Sequence, residues 1–324
     1  MKVLSFGSRR LRVCIIVGSA AALAAAIALP VAMSSPSARA STDQPTSCST
    51  GTTVNTASGP VCGFVSNGLT EWLGIPYAAP PAGNLRWEPP QPRAPWTTTL
   101  QALQYPDACP QSGSTPVPQS EDCLDLNVIA PPHASGTRLR VLVWIHGGGF
   151  QGGATAEYPG DHLAQAGNVV FVSIQYRLGV LGFLATSAFG AHAGDYGLQD
   201  QQAALSWVKT NIAAFGGDPD NVTIFGESAG GSSVCDQMAS PTAAGLFEGA
   251  ISESGFYNSI TGVNTELQPQ DCKATLPTES QADAAGTAFA QTVGCTNAAD
   301  LAVSIQGGQA IAGVGSQGRP VSAV

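Results

Sequence analysis

Gly226-Glu227-Ser228-Ala229-Gly230 sets a serine between two glycines, directly after the apolar run Val222-Thr223-Ile224-Phe225 and before small residues able to open a helix. Strand, tight turn and helix in that order is the context that turns a serine into an exposed nucleophile. Flanking glycines let neighbouring elements approach closely, so the hydroxyl can be held on a strained turn at a helix N-terminus. A bare Gly-x-Ser-x-Gly also reads as an ordinary turn; the apolar strand before it favours the nucleophile. Its chemistry is acyl transfer, which needs donors aimed at the oxyanion of the tetrahedral intermediate, each worth about 3 kcal/mol. His146-Gly147-Gly148-Gly149-Phe150 follows the apolar strand Val141-Leu142-Val143-Trp144-Ile145, and its glycines can turn backbone N–H groups inward without side-chain obstruction. Alone, this second motif also reads as a flexible loop or a phosphate cradle without its lysine. Together the two read as halves of one site.

A general base is harder to find. For a serine on this kind of turn the partners follow in chain order serine, acid, histidine, yet His133, His146, His162 and His192 all precede Ser228 and none follows it. His146 is tied to the glycine loop and reads as structural. His133 lies in a proline-rich loop, and His162 and His192 in surface segments, so these three are expected to be solvated. Asp236, Glu248 and Asp283 follow the serine, with nothing around them to mark a triad acid. No histidine or cysteine cluster has metal-ligand spacing, so neither a metal nor a cofactor is expected.

The elements that must position these residues are legible from periodicity. Leu124 to Ala130 and Arg140 to Ile145 read as strands, and the unbroken apolar stretch from Val169 to Tyr176 as a strand buried on both faces. A helix is expected from about Gly197 to Phe215, with Leu198, Leu205, Val208, Ile212 and Phe215 on one stripe and Gly216-Gly217 ending it. Asn221 to Gly226 is the next strand, a helix opens just after Ser228, a short strand lies near Gly249 to Ser252, and Thr278 can cap a helix reaching Val293. Residues 41–60 read as a loose entry and a small hairpin turning at Gly59-Pro60. Leu73 to Trp96, dense in proline, reads as extended irregular coil. Strands alternating with helices imply a parallel sheet in one α/β domain.

Basic Lys2, Arg9, Arg10 and Arg12, an apolar run from Cys14 to Met33, and Ala38-Arg39-Ala40 before Ser41 read as a secretory signal peptide over residues 1–40, cleaved after Ala40. An uncleaved membrane anchor is the alternative, since the run is long enough to span a bilayer. The chain is 44% hydrophobic and 11% charged, which excludes disordered and coiled-coil classes. Its net charge is −9, and removing the five leader bases Lys2, Arg9, Arg10, Arg12 and Arg39 makes the mature chain more acidic still. Such a surface repels phosphate backbones and anionic lipid, so neither nucleic-acid binding nor membrane binding after cleavage is expected. Of the eight cysteines, Cys14 falls in the leader, leaving an odd number: Cys48, Cys62, Cys109, Cys123, Cys235, Cys272 and Cys295. Export makes disulfides the default for them.

Several motifs in order carry a family resemblance: Leu73-Gly74-Ile75-Pro76-Tyr77-Ala78, Leu85-Arg86-Trp87 with Pro89-Pro90, Glu121-Asp122-Cys123-Leu124, Trp144 to Phe150, Tyr176-Arg177, Gly197-Leu198-Gln199-Asp200-Gln201 and Phe225 to Gly231. The chain resembles the type-B carboxylesterases of the cholinesterase and carboxylesterase group, from about Val54 to Cys295, the N-terminal portion of that family's catalytic domain. The resemblance implies the α/β-hydrolase fold, a mostly parallel central sheet flanked by helices. It implies a secreted carboxylic ester hydrolase acting on small-molecule esters through an acyl-enzyme. Ser228 would be the nucleophile, the backbone N–H groups of Gly148, Gly149 and Ala229 the oxyanion hole, and Glu227 a buried acid beside the nucleophile. It further implies a Cys109–Cys123 disulfide, ion pairs Arg86–Glu121 and Arg177–Asp200, and Ser254 packed near the active site. Asp125 departs from the aromatic residue usual at its position.

Two departures weigh more. The family's acid motif and histidine fall beyond Val324, so the chain reads as C-terminally truncated, a partial catalytic domain over residues 41–306. Cys295 would pair with a cysteine a short way downstream, and none is present. Gly307, Gly308, Gly313, Gly315 and Gly318 make residues 307–324 read as a disordered tail. The other cysteines allow Cys48–Cys62 and Cys235–Cys272, with connectivity left open. A non-catalytic secreted binding or adhesion protein on the same fold, or an inactive remnant, is the competing reading.

Overall fold

A computed structural model describes residues 45–132, 136–186, 194–255, 272 and 278–292. The expected signal peptide, His133, His192, Cys295 and the expected tail over 307–324 lie outside these residues. All of the described residues fall in one unit of the chain, Ala38–Val324.

The strands in chain order are β1 (Val54–Asn55), β2 (Pro60–Cys62), β3 (Phe64–Ser66), β4 (Leu69–Pro76) and β5 (Leu100–Gln101). They continue with β6 (Asp125–Ala130), β7 (Leu139–Ile145), β8 (Val170–Ile174), β9 (Gly217–Glu227) and β10 (Gly249–Glu253). The helices are α1 (Asp161–Gly167), α2 (Gly179–Phe183), α3 (Tyr196–Asn211), α4 (Ala229–Ala239) and α5 (Glu279–Thr292). A small sheet orders β1-β2-β5, and a seven-stranded sheet orders β10-β9-β7-β8-β6-β4-β3. The large sheet is parallel across β8, β7, β9 and β10 and antiparallel across β6, β4 and β3. The C-terminal ends of the parallel half lie beside the candidate site, and in the antiparallel half only β3 and β4 form a hairpin, β6 joining β4 and β8 across long connections.

Local chemistry accounts for these elements. Asn67 and Gly68, both at positive φ, make the two-residue turn between β3 and β4, as an Asn-Gly pair favours. The β1–β2 hairpin is present, but it turns through Thr56 to Gly59, whose backbones bond to each other in both directions, and Pro60 already pairs with Asn55. Leu73 to Pro76, expected as coil, belongs to β4. Proline is tolerated at the strand end, and a register shift between Trp72 and Ile75 takes up Gly74, whose N–H bonds to Asn127 Oδ1 at 2.9 Å. Helix α3 passes into a 3-10 turn, Ile212–Phe215, and stops at left-handed Gly216. Thr278 caps α5: its N–H donates to Gln281 Oε1 (2.8 Å) and its Oγ1 accepts from the Gln281 N–H (3.3 Å), a capping box.

Alternation along the sheet splits the core. Val222 and Ile224 are fully buried in the main cluster with Val141, Val143, Val170 and Val172, against Leu205 and Val208 of α3. Phe225 faces the other way, toward Trp144 and Phe171. Among the described residues no helix is long and apolar enough to cross a membrane.

Candidate active site

Parallel pairing sends the C-terminal ends of β7, β9 and β10 to one edge of the sheet. Ile145, the last residue of β7, sits beside Gly226, which sits beside Ser252. The glycine loop after Ile145, the turn at Ser228 and the chain after Glu253 therefore emerge side by side, where open α/β sheets place their sites.

Ser228 links β9 to α4 with φ 56° and ψ −118°, a conformation L-residues rarely hold. Two backbone bonds pin it: its N–H donates to the Glu253 carbonyl at 2.9 Å, and its carbonyl accepts from the Ser232 N–H at 2.9 Å. The turn closes only because Gly230 lacks a Cβ, which would collide with the Ile145 carbonyl. The two motifs then touch. A Cβ on Gly147 would stand 2.7 Å from the Glu227 carbonyl and 3.3 Å from Ser228 Cβ. Beyond it the loop runs through Gly148 (φ 107°), Gly149 (φ 64°) and Phe150 (φ 59°). Among the described residues, the N–H groups of Gly148 and Gly149 donate to no carbonyl. Ala229 opens α4, where N–H groups have no carbonyl a turn earlier to bond. The structure thus brings Ser228, Gly148, Gly149 and Ala229 to one edge, together with Ser254, which follows β10 level with Ser228.

Glu227 is a correction. It is exposed, not buried: it ends β9 at the sheet's C-terminal edge, with Oε2 3.2 Å from where a Gly147 Cβ would be. With Glu157 it adds to the burial that raises the Tyr158 phenol. His146 takes the structural place expected of it. It is fully buried, stacked on Tyr176 (4.5 Å, 22°), with Nδ1–H donating to the Gly147 carbonyl (2.9 Å) while Tyr176 Oη–H donates to the His146 carbonyl (2.7 Å). Burial lowers its pKa to about 4, so at neutral pH it is uncharged. His162 is exposed on α1. On α4, burial and then Asp195 push the Asp236 carboxyl up to about 7, and its Oδ2 is buried without a partner among the described residues. At the start of β6, burial and then Asp122 push Asp125 up to about 7.

The frame around the edge carries the pairs that the resemblance implied. Arg86 and Glu121 form a two-point pair, with Nε–Oε2 at 2.6 Å and Nη2–Oε1 at 2.5 Å. Arg177 and Asp200 pair at 2.8 and 2.7 Å, with side chains 2% and 0% exposed. Disulfides join Cys48–Cys62, Cys109–Cys123 and Cys235–Cys272. Sequence reasoning passed over Tyr176 as a support for His146, and over Gln111, whose amide meets the loop at Gly153. The only cue to Gln111 was its closeness to Cys109.

The fold is that of an α/β-hydrolase, and residues 50–306 match the model of the carboxylesterase family; the chain belongs to that family. It is 50% identical over 218 residues to para-nitrobenzyl esterase of Bacillus subtilis (strain 168), covering 64% of this chain and 44% of that one. To carboxylesterase 1D of Mus musculus it is 44% identical over 238 residues, 67% of this chain and 42% of the other. Among solved structures it is similar to a PNB esterase, with TM-score 0.67 and 44% identity over 78% of this chain and 50% of that one. A Geobacillus stearothermophilus carboxylesterase gives TM-score 0.68 at 37% identity, over 83% of this chain and 55% of its own. The chain spans about half the length of these relatives.

Proposed function

We propose that the protein is a carboxylic ester hydrolase that acts through Ser228 on small-molecule esters. The observation that carries this reading is the contact between the strained serine turn and the glycine loop: nucleophile and unbonded backbone donors share one edge. In the proposed reaction Ser228 Oγ attacks the ester carbonyl and loses its proton to a base. The oxyanion is held by the N–H groups of Gly148, Gly149 and Ala229, and the alcohol departs with a proton to leave an acyl-serine. Water then attacks the acyl-serine, the acid leaves, and Ser228 is restored. Glu227, beside the nucleophile, adds negative charge at the edge of this site. The base is assigned neither to His146, which is sealed beneath the loop, nor to His162, which is exposed on α1.

The signal reading of residues 1–40, the three disulfides and the acidic mature chain support a secreted protein that binds neither nucleic acid nor membrane. The test of the ester-hydrolase reading is labelling with a fluorophosphonate. The wild-type chain is expected to form one adduct on Ser228, and Ser228→Ala none. A folded wild-type chain that takes no Ser228-dependent adduct refutes the reading and leaves a non-catalytic binding protein on the same fold.

A further inference from the structure

Gln111 stands two residues after Cys109 of the Cys109–Cys123 disulfide, and its side-chain amide forms a two-way pair with the backbone of Gly153. Nε2–H donates to the Gly153 carbonyl at 2.9 Å, and Oε1 accepts from the Gly153 N–H at 2.8 Å. The second Nε2–H donates to the Cys109 carbonyl at 3.1 Å, so both donors of the amide are used. This fixes which way the amide faces, since a flipped amide would set its oxygen against two carbonyls. Gln111 is itself held, its backbone N–H donating to Gln119 Oε1 at 2.9 Å.

Gly153 closes the loop that starts at His146. The N–H groups of Gln151 and Gly152 bond back to the Gly148 carbonyl at 3.0 and 3.1 Å. Gly153 itself packs so tightly under the start of the loop that a Cβ there would come within 2.6 Å of the Gly147 carbonyl. That carbonyl is one end of the Gly147–Gly148 peptide, and the other end is the Gly148 N–H. A peptide is planar, so displacing its oxygen turns its N–H by the same angle. On the far side Gly179 N–H holds the Phe150 carbonyl at 2.7 Å; on the near side His146 Nδ1–H holds the Gly147 carbonyl itself at 2.9 Å, and Gln111 holds Gly153, which packs against that same carbonyl.

We infer that Gln111 is a positioning residue for acyl transfer at Ser228: through Gly153 its amide holds the Gly147–Gly148 peptide so that the Gly148 N–H stays aimed at the oxyanion. The inference rests on the ester-hydrolase reading, and two measurements separate the fates of the two. The first is amide hydrogen exchange by NMR on the wild-type chain, Gln111→Ala and Gln111→Glu. Gln111→Ala is expected to speed exchange at Gly153 by about tenfold or more, with the amides of α4 unchanged, because those bonds belong to a separate element. Unchanged exchange at Gly153 overturns the inference.

The second measurement is Ser228-dependent turnover of p-nitrophenyl acetate. A displaced donor acts on the transition state, so kcat is expected to fall about 100-fold, with KM within about twofold and the melting temperature within a few degrees. Gln111→Glu keeps the acceptor for Gly153 N–H but opposes two carbonyls with a carboxylate, and is expected to lose as much kcat as Gln111→Ala. Unchanged kcat, or a raised KM with kcat intact, overturns the inference. Should Gln111→Ala fail to fold, the nearly isosteric Gln111→Glu is read by both measurements. If the wild-type chain shows no Ser228-dependent turnover, the ester-hydrolase reading fails by itself, and the exchange rates still decide whether Gln111 holds the loop.

Discussion

Replacing Asp200 by Asn leaves shape almost untouched and removes one charge from the best-buried ion pair of the described structure. Asp200 accepts from Arg177 at Nε (2.8 Å), at Nη2 (2.7 Å) and at the backbone N–H (3.0 Å), with neither side chain more than 2% exposed. After the change the guanidinium keeps the Glu88 carbonyl at 2.9 Å and the Tyr196 ring at 5.1 Å, but its charge has no counterion there. Breaking a buried pair costs about 3–5 kcal/mol. The retained contacts and one retained oxygen place Asp200→Asn near the lower end, about 3 kcal/mol, which for a domain of this size lowers the melting temperature by about 10 °C. Urea unfolding of both proteins, followed by circular dichroism, measures it. The double variant Arg177→Met/Asp200→Leu is expected to lose less than Asp200→Asn, because it removes the stranded charge as well. A loss below about 1 kcal/mol for Asp200→Asn, the range of an exposed pair, refutes the reasoning.

His146 titrates near 4 when folded and near 6.5 in an open chain, so the unfolded state binds more protons between those values. Stability from this residue is present above pH 6.5 and is lost as pH falls toward 4, about 3 kcal/mol in all. The change in unfolding free energy between pH 7 and pH 4.5 is therefore expected to shrink in His146→Phe, and an equal change in both proteins counts against the buried neutral ring. Removing the Cys109–Cys123 bond by the double serine variant opens a loop with a sequence separation of 14. It is expected to cost about 3 kcal/mol in urea unfolding, with faster exchange at Gly153; no change at Gly153 separates the disulfide from the Gln111 hold. Material exported by a host that processes the leader is expected to begin at Ser41 on N-terminal sequencing, and a start at Met1 rejects the signal reading.

The site was legible where chemistry and local structure share the same few residues. Gly226 to Gly230 declares the strand, the turn and the serine at once, and Gly216 declares the end of the 3-10 turn that continues α3. The expected strands from Leu124, Arg140, Val169 and Asn221 appear within a few residues of their places, and the one from Val169, buried on both faces, is the unbroken apolar run among them. Strand β4 was hidden because prolines downstream made the whole stretch from Leu73 look irregular, while the Asn67-Gly68 turn that announces it went unused. The exposure of Glu227 depends on what lies above the sheet edge, and neighbouring residues say nothing of that. Gln111 was invisible for another reason: its partner Gly153 is 42 positions away, and a glutamine in a polar loop has no pattern of its own.

The backbone at Ser228 has a consequence for which atoms the position accepts. At φ 56° a side chain branched at Cβ meets its own backbone, so threonine, chemically the mildest exchange for serine, is sterically among the harshest here. Cysteine, with a single γ atom, fits the same turn. The position can pass from alcohol to thiol but not from primary to secondary alcohol, so the narrowness of its accepted alphabet comes from the shape of the chain before any demand of reactivity is felt.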